Sequence, residues 1–249
     1  MKKLILLIFI LALTACAPQA ADGPATLTVM THDSFAISEE VVQAFEAEHE
    51  VQVVFLASGD AGSALNKAVL TKDAPLADLL FGVDNTFLSR ALEAEIFESY
   101  DSPVLADIPA EFKLDAENRA VPVDFGDVCI NYDKAYFAEK NLAVPTSLED
   151  LLLPEYAGLL VVENPATSSP GLAFLMATIA HFGEDGYLDY WLGLRENNVA
   201  VADGWETAYY TNFSASSGRG SQPMVVSYGS SPAAEVIFAE TALDDAPTA

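Results

Sequence analysis

The chain has 249 residues, of which 51% are hydrophobic, so it can bury the core of one large or two smaller domains. It carries 37 acidic and 11 basic residues, a net charge of −26 at pH 7. This charge argues against nucleic-acid binding, because phosphate groups are held by basic patches, and against docking on anionic membrane surfaces. It is compatible with a cationic ligand.

The N-terminal segment has the features of a targeting signal. Two lysines precede an unbroken apolar run over 4–13, which is too short to span a bilayer. The run closes with Leu-Thr-Ala before Cys16, a pattern that resembles a bacterial lipobox. We expect residues 1–15 to be a lipoprotein signal peptide and 16–25 to be a tether that begins at a lipidated Cys16. An ordinary secretory signal is the alternative.

Cys129 is the other cysteine of the chain, so no disulfide is expected once Cys16 carries lipid. It lies in an apolar stretch, which favours a buried, unreactive thiol. The sequence contains no CxxC or HExxH motif, and its three histidines are widely spaced. We therefore expect neither a metal site nor a cofactor.

Strands and helices alternate along the first part of the chain. The hydrophobic spacing predicts strands over 27–30, 51–56 and 77–81, and helices over 39–49, 63–70 and 86–94. The order strand–helix, repeated three times, indicates a parallel sheet flanked by helices. A small, polar tether precedes this block.

A second α/β block follows. Its apolar run over 158–163 is typical of a strand that is buried on both faces. The other predicted elements are extended segments over 120–125 and 128–132, a short helix over 147–152, helices over 171–182 and 186–197, a strand over 198–202, a helix over 205–213, a strand over 224–228 and a helix over 232–241.

These blocks predict a two-lobed α/β protein. The first lobe covers 26–122 and the second 123–243, with a hinge near 121–127 and the start of a crossover back to the first lobe over 244–249. A protein of this kind usually returns to complete its first lobe. We therefore expect the first lobe to be incomplete and the 249 residues to be a fragment.

Ligands of open α/β sheets lie beyond the carboxyl ends of the strands, where helix N-termini present unpaired N–H groups. Polar and aromatic residues that could face such a ligand follow the predicted strands. They are His32, Asp33, Ser34, Asp84, Asn85, Ser168, Ser169, Trp205, Tyr228, Ser230 and Ser231.

Two serine pairs among them precede a proline. Ser169-Pro170 and Ser231-Pro232 each place a hydroxyl at a helix N-cap and a proline at the first helical position. One interpretation is that these serines only cap their helices. The other is that one serine of each pair caps while its neighbour, Ser168 or Ser230, faces the ligand.

Aromatic rings and carboxylates share this edge of the predicted sheets. Trp205 and Tyr228 with nearby carboxylates suit a flat cationic ligand through stacking and cation–π attraction. The alternatives are a core position for Trp205 and local turn or cap bonding for Asp33 and Asp84.

The sequence does not call for catalysis. Residues 32–34 contain the residue types of a hydrolytic triad, but three consecutive residues cannot form that chain of hydrogen bonds among themselves. No GxSxG elbow, phosphate loop or GxGxxG motif is present.

Over residues 26–240 the chain resembles the thiamine-binding lipoproteins and periplasmic proteins that deliver the vitamin to ABC importers. The resemblance rests on motifs that occur in this order: THDSF at 31–35, LFGVDN at 80–85, NYDK at 131–134, TSSPG at 167–171, DGWETAY at 203–209 and VSYGSSP at 226–232. It implies the type 2 periplasmic binding protein fold, with two lobes and mainly parallel sheets.

The resemblance also implies a ligand site in the cleft between the lobes. Thiamine would be held by ring stacking and hydrogen bonds, and its phosphate esters would lie near a serine-rich helix N-terminus. The implied lining residues are Asp84, Ser168, Ser169, Trp205 and Tyr228, and we assign His32, Asp33, Ser34, Asn85, Tyr209, Ser230 and Ser231 to the same site. Some family members have a stacking tyrosine where this chain has Ala234.

The implied protein is a monomeric, non-enzymatic lipoprotein on the outer face of the cytoplasmic membrane or in the periplasm. It would close around its ligand and dock on ABC permease subunits. One alternative is a ferric-iron or polyamine binder of the same fold, with Tyr209, Tyr210 and His32 as iron ligands. Another is a phosphate-ester hydrolase that binds a metal through Asp33 or Asp84.

Overall fold

The structure is a computed structural model that describes residues 24–217, 220–239 and 241–249. The predicted signal peptide, the lipidation site at Cys16 and most of the tether lie outside the described residues. Within the described ranges, no helix combines the length and the hydropathy that crossing a membrane requires.

The first lobe is built on a three-stranded parallel sheet in the order β2-β1-β3. All six predicted elements form, and the third strand is the shortest because only two of its residues pair with β1. The elements are β1 (Ala25–Thr31), α1 (Glu39–His49), β2 (Val51–Ala57), α2 (Ala61–Leu70), β3 (Leu79–Leu80) and α3 (Leu88–Glu93).

Short 3-10 turns at Pro103–Ala106 and Ala110–Phe112 connect the lobes. Residues 121–127 follow without belonging to a strand, so the strand-like pattern over 120–125 does not become part of a sheet. Five of these residues in a row, 123–127, are exposed, which fits a connecting segment rather than a core strand.

The second lobe carries a four-stranded sheet in the order β4-β7-β5-β6. β5 runs parallel to both of its neighbours, and β4 is an antiparallel edge strand. The elements are β4 (Val128–Tyr132), α4 (Lys134–Lys140), 3-10 turns at Glu149–Leu152 and Pro154–Tyr156, β5 (Leu160–Glu163), α5 (Ser169–Glu196), β6 (Ala200–Ala202), α6 (Trp205–Thr207), a π-helical turn at Ala208–Asn212, α7 (Ser214–Ser217), β7 (Met224–Tyr228) and α8 (Ser231–Ile237).

The two helices predicted over 171–182 and 186–197 form the single run α5, which is interrupted at Gly183. Gly183 has φ 73° and ψ 170°, a conformation that is essentially restricted to glycine. The boundary between the two predicted helices is therefore a kink rather than a loop.

The largest core cluster lies in the second lobe, where Val162 of β5, Val226 of β7 and Leu194 of α5 are buried together. β4 covers the edge of this core through Val128 and Ile130. Cys129 lies between these two residues and is exposed, so its predicted burial is wrong. The reason is the two-residue alternation of a strand, which turns Cys129 away from the core.

The last described residues pack on the second lobe. The backbones of Tyr132 and Ala249 exchange two hydrogen bonds, and the N–H of Lys134 donates to the carbonyl of Pro247 at 3.1 Å. Thr248 is buried and donates its hydroxyl to Glu235 at 2.6 Å. The return toward the first lobe stays a prediction.

Leu194→Ala is expected to lower the free energy of unfolding by about 2–5 kcal/mol, because it leaves a cavity in the core. Leu192 lies on the same helix with 52% of its surface exposed, and Leu194 is 1% exposed. Leu192→Ala is the matched control and should change the value by less than about 0.5 kcal/mol. Chemical denaturation measures both, and equal losses would contradict the described packing of α5.

Candidate functional site

The two lobes meet at the carboxyl ends of their sheets. The backbone N–H of Gly62, at the start of α2, donates to the carbonyl of Thr167, just before α5, at 2.9 Å. Leu172 of α5 packs against the first-lobe core around Leu65 and Phe87. These contacts bring the loops that follow β1, β2, β5 and β6 to one interface, which is the position expected for a ligand in this class of fold.

Asp60 joins the lobes through its side chain. Its Oδ1 accepts the N–H of Ala61 at 2.7 Å, which caps α2, and its Oδ2 accepts the N–H of Trp205 at 2.8 Å. The sequence interpretation missed this residue. An aspartate after a strand and before a helix was the available signal, but its second partner lies 145 residues away.

Trp205 belongs to an aromatic platform with Tyr209 and Tyr210. The Trp205 and Tyr209 rings stack at 4.8 Å and 19°, and Tyr210 meets Trp205 edge-on at 5.4 Å. The indole N–H donates to Oγ of Ser227 at 2.8 Å. Trp205 is half-buried, so the structure places it at the surface of the platform rather than in the core.

Tyr209 supports this platform from inside the lobe. Its side chain is 2% exposed, and its hydroxyl donates to Glu235 at 2.7 Å. Burial is the main cause of its raised pKa, and the Glu235 carboxylate adds to it. Tyr209 therefore lies buried behind Trp205, whereas the sequence-based prediction was that it faces the ligand.

Carboxylates dominate the electrostatics around Tyr228 and His32. Burial raises the pKa of Tyr228, and the negative charges that add to it come from Asp84, Asp60, Glu163 and Asp124. Burial lowers the pKa of His32 and outweighs the opposing effects of Asp60, Asp124, Asp33 and Glu206. The charged groups that contribute to the pKa shifts of these two rings are all carboxylates.

His32 is held over Gly82, which follows β3. Gly82 has φ +105°, and a Cβ atom built there would lie 2.6 Å from Cδ2 of His32. The His32 ring also contacts Phe81 at 5.7 Å between centroids. Only glycine fits this position, because both the backbone conformation and the close ring require it.

Asp84 makes the local turn bonds that were weighed as the alternative to ligand contact, whereas Asp33 bonds the loop that follows β2. Asp33 Oδ1 accepts the N–H of Gly59 at 2.8 Å. Asp84 Oδ1 accepts the hydroxyl of Thr86 at 2.7 Å and its N–H at 3.1 Å. The Asp84 charge also raises the pKa of Tyr228, which belongs to the second lobe.

The predicted serines differ in burial: Ser168, Ser169 and Ser231 are buried, whereas Ser34 and Ser230 are not. Ser168 and Ser169 are buried at the start of α5, and neither hydroxyl has a hydrogen-bond partner among the described residues. Ser231 is buried and its Oγ lies 2.9 Å from Oγ of Ser227, beneath the indole of Trp205. Ser34 is half-buried in the loop after β1, and the three predicted residues that are exposed are Asp33, Asn85 and Ser230.

Glu163 is the second residue that the sequence interpretation missed. It ends β5, is fully buried, and neither of its carboxyl oxygens has a hydrogen-bond partner in the described ranges. Burial raises its pKa well above the usual range for glutamate, and the Asp60 charge adds to this. A charged residue that closes an otherwise apolar strand was the available signal.

Comparison with known proteins identifies the class. Residues 74–233 match the family described as bacterial extracellular solute-binding protein. This chain belongs to that family. It is also 32% identical to the thiamine-binding periplasmic protein of Brucella suis, over 97% of this chain and 70% of the relative. The family consists of solute-binding proteins rather than enzymes, and this relative is periplasmic.

Solved structures agree with the fold of this solute-binding protein. A structure titled periplasmic thiamin binding protein matches with a TM-score of 0.73 and 27% identity, over 91% of this chain and 69% of that chain. Iron-bound HitA from Pseudomonas aeruginosa matches at 0.66 and 22% identity, over 83% and 63% of the two chains, and shows the shared fold alone. The predicted type 2 periplasmic binding protein fold is confirmed.

Gly62→Ala is expected to weaken the docking of the lobes. The added Cβ would lie 2.9 Å from the carbonyl oxygen of Ala166 and 2.7 Å from Cζ of Phe87. Such overpacking costs about 1–3 kcal/mol. Small-angle X-ray scattering should then give a larger radius of gyration than for the wild type.

The matched control is Gly186→Ala on α5 beyond the kink at Gly183, where the nearest atom is Cβ of Phe182 at 3.3 Å. It should leave the scattering profile unchanged. Identical profiles for wild type and Gly62→Ala would show that the contact between the lobes is not tight in solution.

Proposed function

We propose that this solute-binding protein captures thiamine in the cleft between its lobes and delivers it to an ABC importer. The observation that carries the proposal is the combination of the aromatic platform at Trp205 with an interface whose strongest charges are acidic. The relative from Brucella suis and the structural neighbour are both named as thiamine-binding proteins, which supports the same ligand.

Thiamine has the chemistry that this cleft would recognise. Its thiazolium ring carries a permanent positive charge, which is attracted both by carboxylates and by the face of an indole. Asp84, Asp60 and Asp124 supply negative potential around Tyr228. The half-buried ring of Trp205, backed by Tyr209, supplies a flat surface on which an aromatic ligand can stack.

Phosphate esters of thiamine would use the start of α5. This helix of 28 residues begins at Ser169, and the unpaired N–H groups of a helix N-terminus attract anions. Ser168 and Ser169 could donate their hydroxyls to the same phosphate. Glu163 lies beside them and opposes an anion whenever it is ionised, so thiamine itself is the preferred ligand in this proposal.

Delivery would depend on movement of the lobes about residues 121–127. Ligand binding would favour the docked arrangement through contacts to both lobes, such as the Asp60–Trp205 bond. The monomeric protein, held at the membrane by lipid on Cys16, would then present its closed form to the permease subunits. No reaction of the ligand is part of this proposal.

The ferric-iron alternative lacks a specific observation in its favour. The hydroxyl of Tyr209 donates to Glu235, and its ring is buried behind Trp205. Titration with ferric salts, spermidine and thiamine monophosphate tests the alternatives alongside thiamine.

The two tryptophans give the direct test. Trp205 is at the cleft, whereas Trp191 packs in the second-lobe core and donates its indole N–H to Thr178 at 2.9 Å. Thiamine should quench the fluorescence of the wild type and of Trp191→Phe. Trp205→Phe should lose the quenching, and Trp205→Ala should bind about tenfold or more weakly, because a stacked cation contributes up to about 2 kcal/mol.

Isothermal titration calorimetry measures the affinities of the same variants. Trp191→Phe is the matched control, since it replaces the same residue type in the core and should leave the affinity for thiamine within a factor of about two. Equal affinity of Trp205→Ala and the wild type would place the ligand elsewhere. No heat or quenching with the wild type would overturn thiamine as the ligand.

A further inference from the structure

Glu163 is a buried acid without hydrogen bonds to either carboxyl oxygen in the described part of the chain. Burying an ionised carboxylate in this way is very unfavourable, whereas the protonated form costs much less. The raised pKa of Glu163 has burial as its first cause and the charge of Asp60 as a further one. Burial without hydrogen bonds therefore favours the neutral form of Glu163.

The backbone of Glu163 packs tightly against the start of α5, while its carboxyl group has no hydrogen-bond partner among the described residues. The start of α5 presses directly on it, since a Cβ at Gly171 would lie 2.4 Å from the carbonyl oxygen of Glu163. The hydroxyls of Ser168 and Ser169, on the same helical turn, are buried without partners in the described ranges as well. Three polar side chains between the end of β5 and the start of α5 are thus without hydrogen-bond partners in the described ranges.

The same position borders the interface between the lobes. Glu163 and Val161 point to the same face of β5, because side chains alternate along a strand. Val161 belongs to the core cluster against which the partly buried Trp205 packs. Asp60, from the other lobe, acts on Glu163 electrostatically and also bonds the backbone of Trp205. Separation of the lobes would therefore bring solvent and ligand to this carboxyl.

We propose that Glu163 is the proton-linked counter-charge of the bound cation. It is protonated in the unliganded cleft, and it releases its proton to solvent when a cationic aromatic ring binds against it. The inference rests on the proposed function, in which the thiazolium is that ring. A positive charge in contact replaces the hydration that the carboxylate lacks, so the ionised form becomes favourable only with the ligand present.

Other titratable groups around Glu163 do not replace it in this role. Among the titratable groups near Glu163 and its neighbours, His32 is the one whose ordinary pKa lies near neutrality. Burial lowers the pKa of His32. The others are the acids Asp60 on α2, Asp84 before α3, Asp124 in the hinge and Glu206 on α6, and the phenol Tyr228 on β7.

The test is calorimetry of thiamine binding at several pH values, in buffers with different ionisation enthalpies. The wild type should release close to one proton per thiamine while free Glu163 is neutral. Its affinity should rise by up to about tenfold per pH unit in that range. Glu163→Gln should release none and bind about tenfold or more weakly, with little pH dependence, whereas His32→Gln should keep the proton release.

Stability supplies a readout that needs no ligand. An acid with a raised pKa in the folded state lowers stability as the pH rises above its unfolded pKa of about 4.3. The stability of Glu163→Gln relative to the wild type should therefore increase with pH from about 4 upward. The same unfolding curves show whether the variant folds.

The outcomes separate the two proposals. Thiamine binding by the wild type without proton release, or with equal affinity in Glu163→Gln, overturns the role of Glu163 and leaves the proposed function standing. A pH-independent stability difference between the two proteins also overturns it, because Glu163 would then not be a neutral buried acid. No binding of thiamine by the folded wild type overturns the proposed function, and this inference with it.

Discussion

The carboxylate of Asp60 is the contact on which the geometry of the site depends. One oxygen caps α2 of the first lobe, and the other holds the backbone of Trp205 in the second lobe. The ring of Trp205 is then fixed by Ser227 and by stacking on Tyr209. A single acid thus links the position of the aromatic platform to the docking of the lobes, and it adds negative charge where a cation would bind.

The order of elements and the edge that carries the site could be predicted from the sequence. Hydrophobic runs located every strand of both sheets, and the run over β5 is buried along its whole length, as a strand covered on both faces requires. Strand ends then indicated where polar residues would gather, and Trp205, Ser168 and Ser169 do lie at the interface between the lobes. These features depend on nearby residues only.

The features that could not be predicted depend on distant partners. Asp60 has the sequence context of an ordinary N-cap, and its bond to Trp205 exists only after both lobes have folded. Glu163 ends an apolar strand, and its lack of partners is a property of the packed environment. Cys129 was assigned to the core from its apolar neighbours, although strand alternation on an edge strand turns it outward.

Recognition of a flat cation by the acidic cleft can be tested by comparing thiamine with its pyrimidine half, which carries no permanent positive charge. Calorimetric titration with thiamine and with 4-amino-5-hydroxymethyl-2-methylpyrimidine, which lacks the thiazolium, isolates the contribution of the positive ring. We expect one-to-one binding of thiamine, and binding of the pyrimidine that is at least about tenfold weaker, corresponding to about 1.4 kcal/mol or more. Equal affinity for the two compounds would contradict cation recognition.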